Sequence, residues 1–298
     1  MIPQRNLSLL ANRLHKEHGG RRIPEAVLER DYCLAWFLVG LGQSRLGQIL
    51  IFKGGTALKR CHFGDYRFSE DLDFTLARPA EFAEIREGLE EVFERVAQAS
   101  GIRFAFERED RQSHVNSHTF YLSYQGPLPN PNTVKVDITI SEVLLFPVEQ
   151  RPALRAYPEF EDLPEDCPVA VYSLNEIATE KVVALSDPAR NEPRDLYDLW
   201  FLTVEAGVDL SRLVGAIAEK LRFRQKDIAG IEDRILKKEQ RLKALWTGRL
   251  GHQIEALPGF DAVFRAVRRE LRQAVLPADG RSARAHHKNS GAPSLANN

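Results

Sequence analysis

Cysteine is scarce in the 298 residues: Cys33, Cys61 and Cys167 are an odd number with no CxxC spacing, which argues against a disulfide framework and a zinc site. Long apolar runs are also missing. The longest, over 33–41, is far too short to span a bilayer, and Met1-Ile2-Pro3-Gln4-Arg5 leads into no signal-peptide core. The expectation is a cytosolic (cytoplasmic) protein with no membrane contact. Charge of either sign is not in excess, with 41 Lys and Arg against 42 Asp and Glu and a net charge of −1, so any nucleic-acid binding must come from a local basic patch. There is no internal repeat. What the chain does have is 43% hydrophobic residues, enough to bury a core in one large or two modest domains.

Residues 25–41 read as a helix that becomes almost wholly apolar, a buried packing element. Ile49-Leu50-Ile51-Phe52 is a short apolar strand running into Lys53-Gly54-Gly55, and 56–61 a short helix, so the glycines sit at a strand-to-helix turn. Strands are predicted over 68–76, 102–107, 119–124 and 134–140, with an amphipathic helix over 81–100. From Ser173 the pattern is helical: Ser173-Leu174-Asn175-Glu176 reads as a capping box, Pro193 suits a first helical turn, and further helices are predicted over 210–223, 229–245 and 260–274. The expected fold class is α+β. A mixed-sheet core with flanking helices is expected over 1–170, with a proline-bearing connector at 152–168, followed by a helical region over 171–276 and a small, polar tail over 277–298 whose composition predicts disorder.

Gly54 and Gly55 let the backbone pass close to a phosphate, and Asp71 and Asp73, spaced i, i+2 on a predicted strand, point to one face where they can share a divalent metal. An acidic strand on a solvated surface explains most such pairs. The Gly-Gly-Thr turn before this one, and Asp137 in Val136-Asp137-Ile138 after it, set it apart. Nucleotidyl transfer is chemistry that uses three carboxylates, because magnesium at two positions neutralises triphosphate oxygens and lowers the pKa of the attacking hydroxyl. Val134, Val136, Ile138 and Ile140 face one way and Asp137 the other with Lys135 and Thr139; Asp137 is either a third ligand or a polar residue on an exposed strand face. Thr56 offers a hydroxyl and Lys53 a charge to a phosphate, and Arg67 and Ser69 lead into the carboxylates. Two other parses fit less well. A P-loop needs GxxxxGK[ST], whereas Lys53 precedes the glycines. Asp71-Leu72-Asp73-Phe74-Thr75 matches the DxDxT loop of haloacid-dehalogenase-like phosphatases, but residues 65–70 are too polar for the buried strand that loop follows.

Leu174, Ile177, Ala178, Val182 and Leu185 form one helical face, which Lys181 interrupts, either snorkelling to solvent or facing a ligand. Asp195 and Asp198 share a face at i, i+3 in the next helix. They are either helix-dipole partners or, with Lys181 and Arg194, a set that positions a triphosphate.

Four blocks in order, Phe52-Lys53-Gly54-Gly55-Thr56-Ala57-Leu58, Arg67-Phe68-Ser69-Glu70-Asp71-Leu72-Asp73-Phe74, Glu180-Lys181-Val182-Val183-Ala184-Leu185 and Arg194-Asp195-Leu196-Tyr197-Asp198-Leu199, make the chain resemble the AbiEii/AbiGii-type nucleotidyltransferase toxins, a branch of the polymerase-β-like superfamily. The resemblance implies a nucleotidyltransferase core joined to helices, a magnesium (Mg2+) two-ion site, a nucleoside triphosphate (NTP) substrate, and a cognate antitoxin in a type IV-like toxin–antitoxin or abortive-infection system of phage defence. It places metal ligands at Asp71 and Asp73 and catalytic parts at Lys181, Asp195 and Asp198. Some relatives modify the 3′ end of tRNA, so the expected acceptor is RNA, a tRNA end; a protein or small-molecule acceptor is the alternative, and intact Asp71 and Asp73 argue against a nucleotide-binding protein without turnover. Residues 220–249 carry ten Lys and Arg against four Asp and Glu, and Arg265, Arg268, Arg269 and Arg272 follow. This region either grips an RNA backbone or is a solvated helix surface.

Overall fold

Seven strands form one mixed sheet: β1 (Leu50–Lys53), β2 (Leu72–Leu76), β3 (Arg103–Glu109), β4 (Ser117–Gln125), β5 (Asn132–Thr139), β6 (Glu149–Pro152) and β7 (Pro168–Val171), in the order β3-β4-β5-β2-β1-β7-β6. The structure, a computed structural model, describes residues 1–18, 22–110, 115–254 and 256–274; the tail expected over 277–298 lies outside the described residues. Its helices are α1 (Gln4–His18), α2 (Glu25–Gly42), α3 (Gly54–Ala57, continued by a wider turn to His62), α4 (Phe82–Ser100), α5 (Leu174–Ser186), α6 (Pro193–Trp200), α7 (Val214–Phe223), α8 (Ile231–Leu236), α9 (Glu239–Leu250) and α10 (Phe260–Gln273). The mixed α+β class and the helical C-terminal region are those the sequence predicts. Among the described residues no helix is long and apolar enough to cross a membrane.

The period-two alternation of the central strands divides the molecule into two faces. Phe52, Phe74, Val136 and Phe120 enter one hydrophobic cluster together with Leu34, Leu38, Leu89 and Val92 of α2 and α4. Helix α2 is buried almost all round, which its continuous apolar run requires. The opposite face carries the polar residues and is covered by the C-terminal helices. Their cluster, including Ile177, Leu196, Ile217 and Val263, also takes in Ile51, Leu58 and Tyr172 from the sheet half. A cleft therefore lies where the polar sheet face meets α5, α6 and α7.

Four local expectations change, one of them simply: the helix predicted over 229–245 is two, α8 and α9, divided at Lys237 and Lys238. The strand predicted over 68–76 begins only at Leu72, because the preceding residues bind the loop after α9: Phe68 N donates to Gln253 O at 3.0 Å and Arg67 Nη1 to Gln253 Oε1 at 3.2 Å. The proline-bearing segment is bounded by the short strands β6 and β7, the latter parallel to β1. The capping box is half made. Ser173 Oγ accepts from Glu176 N at 3.2 Å, but Glu176 Oε2 accepts from Leu145 N and Phe146 N, each at 2.9 Å, and the same carboxylate pairs with Lys220 at 2.7 Å.

Candidate active site

Register places the charged residues. Lys53 pairs with Asp73 across β1 and β2, Asp73 with Asp137 across β2 and β5, and Asp137 with Thr119 across β5 and β4. Residues in one such row project to the same side of a sheet, so one ammonium and two carboxylates stand side by side on the polar face. Lys53 Nζ donates to Thr139 Oγ1 at 2.9 Å and lies 3.8 Å from Glu180 of α5. Asp71, just ahead of β2, faces Arg194 at 3.9 Å.

The turn before this row is built around Gly54 and Gly55. Gly54 has φ +78, and a Cβ there would come within 2.5 Å of Asp73 Oδ2; glycine is needed both for the left-handed backbone and for the closeness of the carboxylate. A Cβ on Gly55 would overlap the Arg67 guanidinium, with Ser69 Oγ next nearest. Thr56 is committed otherwise than as a phosphate donor: its hydroxyl donates to the Asp71 carbonyl at 2.5 Å, anchoring the carboxylate loop to α3.

Opposite the sheet, Lys181 is buried between Asp195 at 2.8 Å and Asp198 at 2.7 Å. Burial opposes its charge, but the two carboxylates outweigh that and hold its pKa above the ordinary lysine value. Asp195 also binds Arg190, at 2.5 Å; burial works against its ionisation, yet Lys181 and Arg190 bring its pKa down to about 2. Asp198 is fully buried and spends its oxygens on Arg67, Lys181 and Tyr66. Arg67 and Asp198 do not line the cleft; they are a buried pair that joins Lys181 to the loop carrying Asp71. Arg194 bridges Asp71 and Glu192.

Lys53, Gly54, Asp73, Asp137, Lys181 and Asp195 line a single cleft of about 460 Å³. Sequence reasoning missed three of its other lining residues, Arg190, Glu142 and Arg224, and gave no role to a fourth, Glu180, although it opens a quoted motif. Arg190 carried a signal, since it lies four residues before the block that starts at Arg194.

The donor set suits a hard cation. Burial pushes Asp73 up to about 6, and the carboxylates of Asp71 and Asp137 push the same way against Lys53 and Lys181; burial also raises Asp71, in spite of Arg194. Crowded oxygen ligands that resist ionisation are relieved by a divalent ion. As the side chains stand, no three His, Cys, Asp or Glu among the described residues are gathered closely enough to hold one. Asp137 turns its oxygens to Thr119 at 2.5 Å and Lys135 at 2.7 Å.

The supposed RNA-binding helices are less available than their composition suggests. Lys220 is fully buried, pairing with Glu142, Glu176 and Glu180. Lys238 is buried too and donates to the carbonyls of Leu185, Asp187 and Arg190. Arg268 and Arg272 both pair with Glu232. Arg222, Lys237, Arg241, Arg249 and Arg265 remain exposed.

The family model described as "Nucleotidyl transferase AbiEii toxin, Type IV TA system" matches residues 36–266. Among solved structures, the chain is similar to MenT4, a nucleotidyltransferase toxin from Mycobacterium tuberculosis H37Rv, at 19% identity over 89% of each chain with a TM-score of 0.62, a likeness of fold. Curated protein sequences give no significant match.

Proposed function

The chain belongs to the AbiEii nucleotidyltransferase toxin family of type IV toxin–antitoxin systems, and from that premise we propose that it transfers a nucleoside monophosphate from a nucleoside triphosphate to the end of an RNA, a tRNA 3′ end being the expected acceptor. The observation that carries this reading is the row Lys53, Asp73, Asp137 facing Lys181 and Arg190 across one cleft. Asp73, Asp137 and Lys53 on the sheet wall, with Lys181 and Arg190 on the helical wall, divide the work between metal and phosphate.

Asp71 and Asp73, with Asp137 as the neighbouring third carboxylate, would hold magnesium. The metal would neutralise phosphate oxygens and lower the pKa of the attacking hydroxyl. Lys53, Lys181 and Arg190 bind the triphosphate by charge, and Gly54 lets the backbone come close beside Asp73. Asp195 and Asp198 fix the Lys181 ammonium in direction, which is the preorganisation electrostatic catalysis requires. The acceptor oxygen attacks the α-phosphorus as the bond to the β-phosphate breaks; pyrophosphate leaves, and the hydroxyl proton passes to the carboxylate cluster. An antitoxin made alongside would restrain this activity.

The test is to incubate the protein with each α-labelled nucleoside triphosphate and magnesium, together with total RNA or lysate protein. Label on RNA that is lost in Asp71→Asn and Asp73→Asn supports the reading. Label only on protein moves the acceptor, and no label from any triphosphate overturns it.

A further inference from the structure

The cleft is also lined by Glu142, Phe223 and Arg224. Phe223 is 47% exposed and belongs to neither hydrophobic cluster, whereas Ile217 and Leu221 of the same helix are buried. The backbone holds it there. Gln225 has φ 54, the only positive value at a non-glycine among the described residues, and α7 closes through Gln225 N to Arg222 O at 3.0 Å and Lys226 N to Leu221 O at 2.8 Å. This is the double closure whose left-handed position glycine usually fills; glutamine holds it at a cost of about 1–2 kcal/mol. Strain of this kind points to a placement worth keeping.

Beside the ring, Arg224 is gripped by Glu142 and lies 3.4 Å from Glu180 Oε1, the same oxygen that lies 3.8 Å from Lys53. One carboxylate oxygen thus separates the cation next to Asp73 from the cation next to Phe223, a separation that a single nucleotide covers from phosphate to base. An aromatic face next to a fixed charged edge matches a nucleobase, which has a stacking face and a hydrogen-bonding rim.

We propose that Phe223 stacks on the base of the bound nucleoside triphosphate, with the Arg224–Glu142 pair at the base's edge biasing which base is used. The proposal rests on the reading that the triphosphate binds at Lys53, Lys181 and Arg190. A base at the end of the acceptor RNA is the other source of the same chemistry, and the experiment separates the two.

ATP, GTP, CTP, UTP and inorganic tripolyphosphate, each with magnesium, are titrated into the full chain as wild type, Phe223→Ala and Phe223→Trp. Phe223→Ala is expected to bind the preferred nucleoside triphosphate roughly 5- to 100-fold more weakly, the loss of one base–aromatic stack, and to bind tripolyphosphate as wild type does. Phe223→Trp keeps nucleotide affinity, and its added indole is quenched by nucleotides and not by tripolyphosphate. Unchanged nucleotide affinity in Phe223→Ala overturns the proposal; if the KM for RNA rises in that variant instead, the stacked base belongs to the acceptor. Equal losses for nucleotides and tripolyphosphate also overturn it, as damage to the fold. A wild type that binds no triphosphate removes the underlying reading and this proposal with it, whereas a wild type that binds and an alanine variant that binds equally remove only the stacking subsite.

Discussion

Arg67 donates through Nε and Nη2 to the two oxygens of Asp198, at 2.7 and 2.8 Å, with both side chains withdrawn from solvent. This bidentate pair joins the loop that carries Asp71 to helix α6, and Asp198 at once holds Lys181 and Tyr66. The sheet wall and the helical wall of the cleft are thereby fixed to each other through one buried aspartate.

Lys181→Met is predicted to lose about 3–5 kcal/mol of stability, because it leaves Asp195 and Asp198 buried with one cation fewer, and to lose label transfer as well. The sequence alone left this lysine either snorkelling to solvent or facing a ligand, and its two buried carboxylate partners add a part in stability. Urea unfolding decides: a midpoint equal to wild type would sink the structural half of this account, while Lys181→Arg should retain most of the stability.

Gly54→Ala should lower transfer by more than tenfold while costing only about 1–2 kcal/mol of stability, the strain of a left-handed alanine. Its methyl group displaces the Asp73 carboxylate. Full activity in a folded Gly54→Ala protein would show that the closeness of glycine to Asp73 is dispensable.

Asp73 gives a pH dependence whose sign is fixed. Its folded pKa of about 6 lies above the ordinary carboxyl value of 3.8, so its share of stability is complete below that ordinary value and is lost as pH rises through 6. With a shift of this size the loss is about 2–3 kcal/mol. Metal-free Asp73→Asn should therefore melt higher than wild type at pH 7.5 and equal to it near pH 3.8, and magnesium should raise the melting temperature of wild type alone. Identical melting curves at pH 7.5 would contradict the prediction.

Lys237→Glu with Arg241→Glu should leave the fold intact and weaken RNA labelling, with wild-type labelling falling steeply between 50 and 200 mM salt, about ten- to a thousandfold for a handful of phosphate contacts. Lys238→Glu should unfold the helical region instead, since it removes the buried ammonium that donates to three carbonyls and sets a carboxylate against them. Normal RNA labelling by the double variant would move the acceptor surface elsewhere.

Much of the fold was legible because its signals are local. The apolar run of α2, the alternation of β5 around Asp137 and the serine before α5 each depend on neighbours in sequence. β6 and β7 were missed: four residues each, one polar at the sheet edge, they exist through pairing alone. In the candidate site, the glycines and the carboxylates could be read as one unit since register brings them together directly. The inward burial of Arg67, the pairing of Lys220 with three glutamates and the approach of Phe223 to the cleft all depend on contacts between distant segments, which no spacing reveals.

The cross-strand row has a consequence for molecules that fold incorrectly. If β2 slipped by one residue against β1 and β5, Leu72 or Phe74 would take the place of Asp73 between Lys53 and Asp137, and the aspartate would turn into the apolar layer beneath. Register thus acts as a proofreading step: a misaligned copy loses its core and its chemistry in the same move, so the capacity to harm the cell is confined to chains that have folded correctly.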